Sequence, residues 1–222
     1  MTAVTSPYIT PGLRRIARRP GTAPGPQPHA ARDPEEERCD LCSEPLPPAH
    51  GHLLDLAADD ICCACRACAL LFDRDAAGGG HYRMLPHRRL RLGDLAEDDL
   101  LHSGLGVPVD LVFFVRSGTD GEVTARYPSP LGTLRTSVDR QTWAELEQAN
   151  PVLREIADDV EALLVDRTGG ARRHWLLPLD DCYRLAAVVR THWKGLGGGP
   201  DVRPHLDDFF DRLETLDVKE ER

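Results

Sequence analysis

Cys39-Asp40-Leu41-Cys42 and, after 22 intervening residues, Cys65-Arg66-Ala67-Cys68 decide how this chain is read. Two residues between thiolates form a tight knuckle that turns both sulfurs towards one ion, and two such knuckles complete a tetrahedron. The spacer is long enough to fold back as a hairpin or loop, closing a small ribbon with almost no core of its own. Cys39, Cys42, Cys65 and Cys68 are therefore the candidate metal ligands. Cys62 and Cys63 precede the second knuckle and are surplus; either replaces Cys65 if the register shifts. His50 and His52, inside the spacer, read as loop residues or as hydrogen-bond donors to the ligands.

The same cysteines admit other chemistry. A disulfide framework needs an export signal, and none is visible. A redox Cys-x-x-Cys stands alone at a helix start rather than as paired knuckles. Cys62, Cys65 and Cys68 also read as the start of a ferredoxin-type run. Phe72 occupies the position four beyond Cys68, so Cys39 or Cys42 would have to complete that cluster. A single iron held by four thiolates uses the knuckle pairs that zinc uses. Zinc is the expected ion, with iron as the alternative.

At 222 residues the chain has room for one ordinary domain and a small metal module. Its net charge of −9 argues against a general nucleic-acid binder. The charge is uneven, because residues 1–32 hold five arginines (Arg14, Arg15, Arg18, Arg19 and Arg32) and no acid. No apolar run reaches the length of a membrane span, and reduced cysteines fit a cytoplasmic protein. Residues 1–37 are rich in Pro, Gly and Ala and read as a disordered basic arm. Within it, Leu13 to Arg19 suits a short basic helical turn. The arm is either a solubilising tail or a segment that docks on an acidic partner.

The metal module is expected over 38–75, with Leu53 to Leu56 as a short strand. The apolar run Ala69 to Phe72 is expected to pack the knuckle against the main domain. Asp73 to Gly80 reads as a flexible turn. An α+β domain is expected over 81–216, an antiparallel sheet with helices packed on one side. Its strands are His81 to Leu92 (one or two), Val109 to Val115, Glu122 to Tyr127, Thr133 to Val138, Glu161 to Arg167 and Arg173 to Leu177. Tyr127 to Gly132 is expected to stop the sheet. Helices are expected over 94–103, Arg140 to Ala149, Pro151 to Val160, Asp180 to Lys194 and Pro204 to Leu216. Asp180 is read as the cap of its helix, with Tyr183, Ala187, Val188 and Thr191 on neighbouring turns. Gly195 to Pro200 breaks the chain, and 217–222 is a charged, fraying tail.

No catalytic constellation emerges. Cys182 lies where a helix start lowers a thiol pKa, but His192 falls too far along the same helix to serve it. A buried helix cysteine is the simpler reading. Asp180-Asp181 and Asp207-Asp208 suit capping and a solvated face, since adjacent carboxylates point in different directions. No hydrolase, metalloprotease or dinucleotide fingerprint is present.

Three stretches resemble a family. They are Cys39-x-x-Cys42 with Cys63 through Phe72; Val112-Phe113-Phe114 leading to Tyr127-Pro128-Ser129-Pro130; and Leu179 to Tyr183 through Trp193-Lys194-Gly195-Leu196. They are similar to an actinobacterial family of no assigned biochemical function, encoded in clusters with uptake nickel–iron hydrogenases. The resemblance covers roughly 38–216, and Cys62 falls outside its pattern. It implies a cytoplasmic, non-enzymatic accessory or adaptor protein whose partners are hydrogenase subunits or maturation factors. Joining a rubredoxin-like knuckle to a chaperone domain is a layout found among other hydrogenase accessory proteins. Two alternatives stand beside it: an iron electron-transfer protein serving the hydrogenase, and a zinc-ribbon regulator.

Overall fold

In a computed structural model, residues 37–73, 79–93, 95–96, 110–129, 132–192 and 202–220 are described, the side chains of the last helix as far as 215. Most of the basic arm, the centre of the 73–80 turn, most of the expected helix at 94–103, Pro130 and Leu131, and the break at 195–200 lie outside these residues. From Glu37 onward the chain forms one compact unit.

The first sheet is built from β1 (Gly51–Asp55), β2 (Asp60–Ala64) and β3 (Tyr82–Met84), in the order β2-β1-β3 with all pairs antiparallel. The spacer between the knuckles thus folds into the β1–β2 hairpin. Asp59 takes the left-handed conformation at its turn (φ 50°), which a short polar side chain tolerates. Between β2 and β3, α1 (Arg66–Phe72) covers one face. The ribbon's own apolar cluster is small, Leu53, Ala64 and Ala69, with Leu41, Phe72 and Tyr82 packed around them. The run Ala69 to Phe72 therefore serves the ribbon itself rather than the main domain. Leu70 and Leu71 point outward, 53% and 52% exposed, because a short helix packed on one side cannot bury residues all round.

The second sheet has six strands in the order β4-β9-β8-β5-β6-β7, all antiparallel. They are β4 (Leu90–Leu92), β5 (Leu111–Arg116), β6 (Val123–Ser129), β7 (Gly132–Ser137), β8 (Glu161–Asp166) and β9 (Arg173–Pro178). The chain is α+β, as its pattern indicates. The helices, however, lie on both faces of this sheet, not on one. Strand β5 explains why: Phe113 and Val115 face one cluster while Val112 and Phe114 face another. A strand apolar on both sides must be covered twice. Helices α3 (Leu179–His192) and α4 (Val202–Glu220) cover the first face. Helix α2 (Arg140–Ala149) and the 3-10 helix Pro151–Glu155 cover the second, through Trp143, Leu146 and Leu153.

Other boundaries differ from the sequence reading. Strand β6 runs through Tyr127 and Pro128 to Ser129, which pairs with Gly132 of β7, so Tyr127 to Ser129 continues the sheet rather than stopping it. Pro128 lies beyond the β5–β6 pairing, which ends at Arg126, so on that side its missing N–H takes no bond from the sheet. In α3 the buried residues are Leu179, Asp181, Cys182, Leu185 and Val189, whereas Ala187 and Thr191 are exposed. The buried face is thus rotated from the expected one, and Asp180 sits inside the first turn rather than capping it. Helix α4 starts before Pro204 and runs past Leu216 to Glu220; Pro204 fits in its first turn, where the missing N–H has no intrahelical partner to lose.

The ribbon seats on the second sheet through both apolar and polar contacts. Leu54 of β1 and Leu85 after β3 belong to the cluster beneath α3 and α4. Arg126 of β6 donates to the Tyr183 hydroxyl at 2.6 Å and to Asp59 at 3.3 Å, and Arg135 of β7 pairs with the same carboxylate. Arg89 donates to Asp181 at 2.6 Å, and His52 meets Asp180 at 2.9 Å. Among the described residues no helix is long and apolar enough to cross a membrane.

Candidate metal centre

The first knuckle closes through its own backbone. Cys39 N–H donates to the Glu44 carbonyl and Ser43 N–H to the Cys39 carbonyl, each at 2.8 Å. Ser43 adopts φ 64°, the left-handed step that folds Cys42 back towards Cys39. In the second knuckle, Cys65 is the N-cap of α1 and its sulfur accepts the Cys68 N–H at 3.4 Å. Cys65 and Cys68 thereby sit one helical turn apart on the same side. Asp40 ties the knuckles together: its N–H donates to the Cys63 carbonyl at 2.9 Å, and its carboxylate accepts the Cys63 N–H at 2.7 Å.

These elements bring the sulfurs of Cys39, Cys42, Cys65 and Cys68 within 4.8 Å of one another. The Cys42–Cys65 separation is 3.7 Å. That is the edge of a tetrahedron whose four metal–sulfur bonds are about 2.3 Å long, which comes to about 3.8 Å. None of the seven cysteines is in a disulfide. Cys39 and Cys68 are buried, while Cys42 reaches solvent. The donor set suits an ion with affinity for thiolate and four tetrahedral positions; zinc and iron both qualify.

Electrostatics reinforce this arrangement. Burial works to raise the Cys39 pKa, but the N–H groups of Cys65, Cys42 and Leu41 prevail and bring it to about 6. Burial, followed by hydrogen bonding with Cys42, Cys65 and Cys39, pushes the Cys68 thiol up. At Cys42 the Glu44 N–H favours the thiolate, yet the neighbouring Cys39 and Cys65 sulfurs leave its pKa raised. Without a cation, Cys39 is thus the readier thiolate while Cys42 and Cys68 resist losing their protons, as groups that would carry like charges at this spacing do.

A pH dependence follows. Cys42 and Cys68 keep their protons in the metal-free protein and must release them on binding, so affinity weakens as pH falls through the neutral range. Below about pH 6 Cys39 also takes up a proton, and the loss steepens. Competition against a chromophoric chelator from about pH 8 to about pH 5 is expected to show this two-stage fall; a pH-independent affinity would contradict thiolate ligation.

The surplus cysteines separate by strand parity. On β2, Cys62 pairs with Leu53 and Cys63 with His52, so the two side chains lie on opposite faces of the hairpin. Neither belongs to the four-sulfur group. His50 and His52 are not in it either; together with Cys63 they form a second group whose ligand atoms lie within 4.8 Å. The sequence reading treated these three as loop or surplus residues. The overlooked signal was His-x-His at the start of a strand, which brings the two rings together.

Cys182 is fully buried, and burial with the nearby Asp181 and Asp180 pushes its thiol well up, which removes it as a nucleophile near neutral pH. His192 stacks on His205 with ring centroids 3.5 Å apart.

The profile of a family of unknown function, DUF5947, matches residues 38–217. The chain belongs to that family. The DUF5947 match begins one residue before Cys39 and ends within α4, so it takes in both the knuckle ribbon and the six-stranded sheet. No curated protein and no solved structure matches the chain.

Proposed function

We propose that this DUF5947 protein is a non-enzymatic accessory or adaptor protein whose four-thiolate ion, zinc, is structural. The observation that carries this reading is the grouping of four cysteine sulfurs within 4.8 Å of one another. Four protein ligands leave no position for a substrate or an activated water, which is the mark of a structural rather than a catalytic zinc. The resemblance seen in the sequence supplies the setting, the assembly or operation of a nickel–iron hydrogenase. The outward-facing Leu70 and Leu71 on α1, next to the knuckle, offer an apolar contact that a partner would cover.

Co-expression of the tagged full chain with the hydrogenase subunits tests this reading. A hydrogenase subunit or maturation factor is expected to co-elute with the wild type and to be lost with a Leu70→Asp, Leu71→Asp double variant. Absence of any such partner would overturn the hydrogenase assignment. A second reading, an electron-transfer protein with thiolate-bound iron, is favoured by the exposure of Cys42, since a solvent-facing sulfur gives electrons a short way out. It requires a coloured protein with a reversible redox couple.

A further inference from the structure

We propose that His50, His52 and Cys63 form a second metal site, which holds an exchangeable divalent ion of the zinc class through two imidazoles and one thiolate. The site arises from hairpin register. His52 lies directly opposite Cys63, so these two side chains share the hairpin face that also carries Leu54 and Ile61, and His50, just before β1, brings its ring beside that of His52. The two rings meet edge to face with centroids 4.9 Å apart. One ligand atom from each residue lies within 4.8 Å of the others.

The hydrogen bonds around the rings set which nitrogens face an ion. His50 Nδ1 meets the Pro47 carbonyl at 3.0 Å and the Glu37 carboxylate at 3.6 Å. Both are acceptors, so Nδ1 carries the proton and Nε2 carries the lone pair. Nε2 is buried with no hydrogen-bond partner, in a side chain only 6% exposed. A buried imidazole nitrogen with nothing to bind is costly, and an ion beside it removes that cost. His52 repeats the pattern: its Nδ1 lies 2.9 Å from Asp180 Oδ2, again leaving Nε2 for a ligand. A carboxylate–histidine pair of this kind fixes the ring and strengthens its basicity in metal sites. Asp180 is thus a positioning residue, reaching the ribbon from α3.

Three ligands leave a fourth position for water, unlike the closed tetrahedron beside it. Two nitrogens and one sulfur suit a borderline ion such as Zn2+ better than a hard one such as Mg2+. Binding releases the Cys63 proton to solvent and changes no oxidation state. Because Asp40 holds the Cys63 backbone to the first knuckle, filling the four-thiolate site orders the second.

The test uses the full chain stripped of metal and titrated with Co2+, then Zn2+. The wild type is expected to take up two equivalents. The first brings the charge-transfer absorbance of four thiolates, and the second a smaller increment matching one. Cys63→Ser and His50→Gln are each expected to leave a single equivalent with the four-thiolate spectrum intact. Asp180→Asn is expected to weaken the second equivalent by about 10–100-fold and leave the first unchanged. Saturation of the wild type at one equivalent would overturn the proposal, as would two equivalents surviving in both His50→Gln and Cys63→Ser. The separate four-thiolate spectrum tells failure of this site from failure of the structural one.

Discussion

Replacing Cys39 or Cys68 with serine is expected to unfold the ribbon and to leave the six-stranded sheet standing. Serine offers a hard hydroxyl where a soft ion needs a thiolate, and one lost ligand breaks the closed coordination. The ribbon has little else to hold it. Its own apolar cluster is Leu53, Ala64 and Ala69, far less apolar area than a free-standing unit needs. Small zinc modules draw about 10–16 kcal/mol of folding free energy from the ion, and without it they do not fold. The larger sheet, by contrast, carries two extensive clusters. Hydrogen exchange is the measurement. Amides of β1, β2 and β3 are expected to lose protection in the variants and in the chelated wild type, while those of β5, β8 and β9 keep it. Retained protection of β1 and β2 after metal removal would mean that the ion is not structural.

Trp175→Ala is expected to destabilise the main sheet by about 3–5 kcal/mol. Trp175 is fully buried on β9, opposite Leu164 of β8 and Arg91 of β4, in the cluster beneath α3 and α4. Truncation loses the transfer energy of the indole and leaves a cavity that a sheet paired on both sides cannot close. Its Nε1 has no hydrogen-bond partner, so Trp175→Phe removes an unsatisfied donor along with some volume and is expected to cost clearly less. Urea unfolding checks both: the midpoint falls strongly for alanine and modestly for phenylalanine, with the slope unchanged. A drop below about 1 kcal/mol for alanine would show that the site collapses without strain.

What the sequence reveals follows from how local each cause is. Helix α2 spans Arg140–Ala149 as its pattern indicates, because its signals adjoin it: the Asp139 side chain accepts the Thr142 N–H at 2.9 Å, and Asn150-Pro151 ends it. Strands β8 and β9 are recognisable from their apolar runs across Gly169-Gly170. The four thiols were legible for the same reason, since a two-residue spacing forces a knuckle wherever it occurs. Long-range causes were not legible. Asp181 turns inward because Arg89, far away in sequence, meets it there, and this reverses the polarity expected of that face of α3. The pairing of His52 with Cys63 needs the hairpin register, and its tie to Asp180 needs the docking of the ribbon on α3.

The most direct test of the four-thiolate zinc site is the metal content and visible spectrum of the full chain, purified without a metal-binding tag and dialysed against a weak chelator. About one tightly held zinc per chain in a colourless solution is the expected result. Iron with a red or brown spectrum would contradict it and make the four sulfurs an electron-transfer centre.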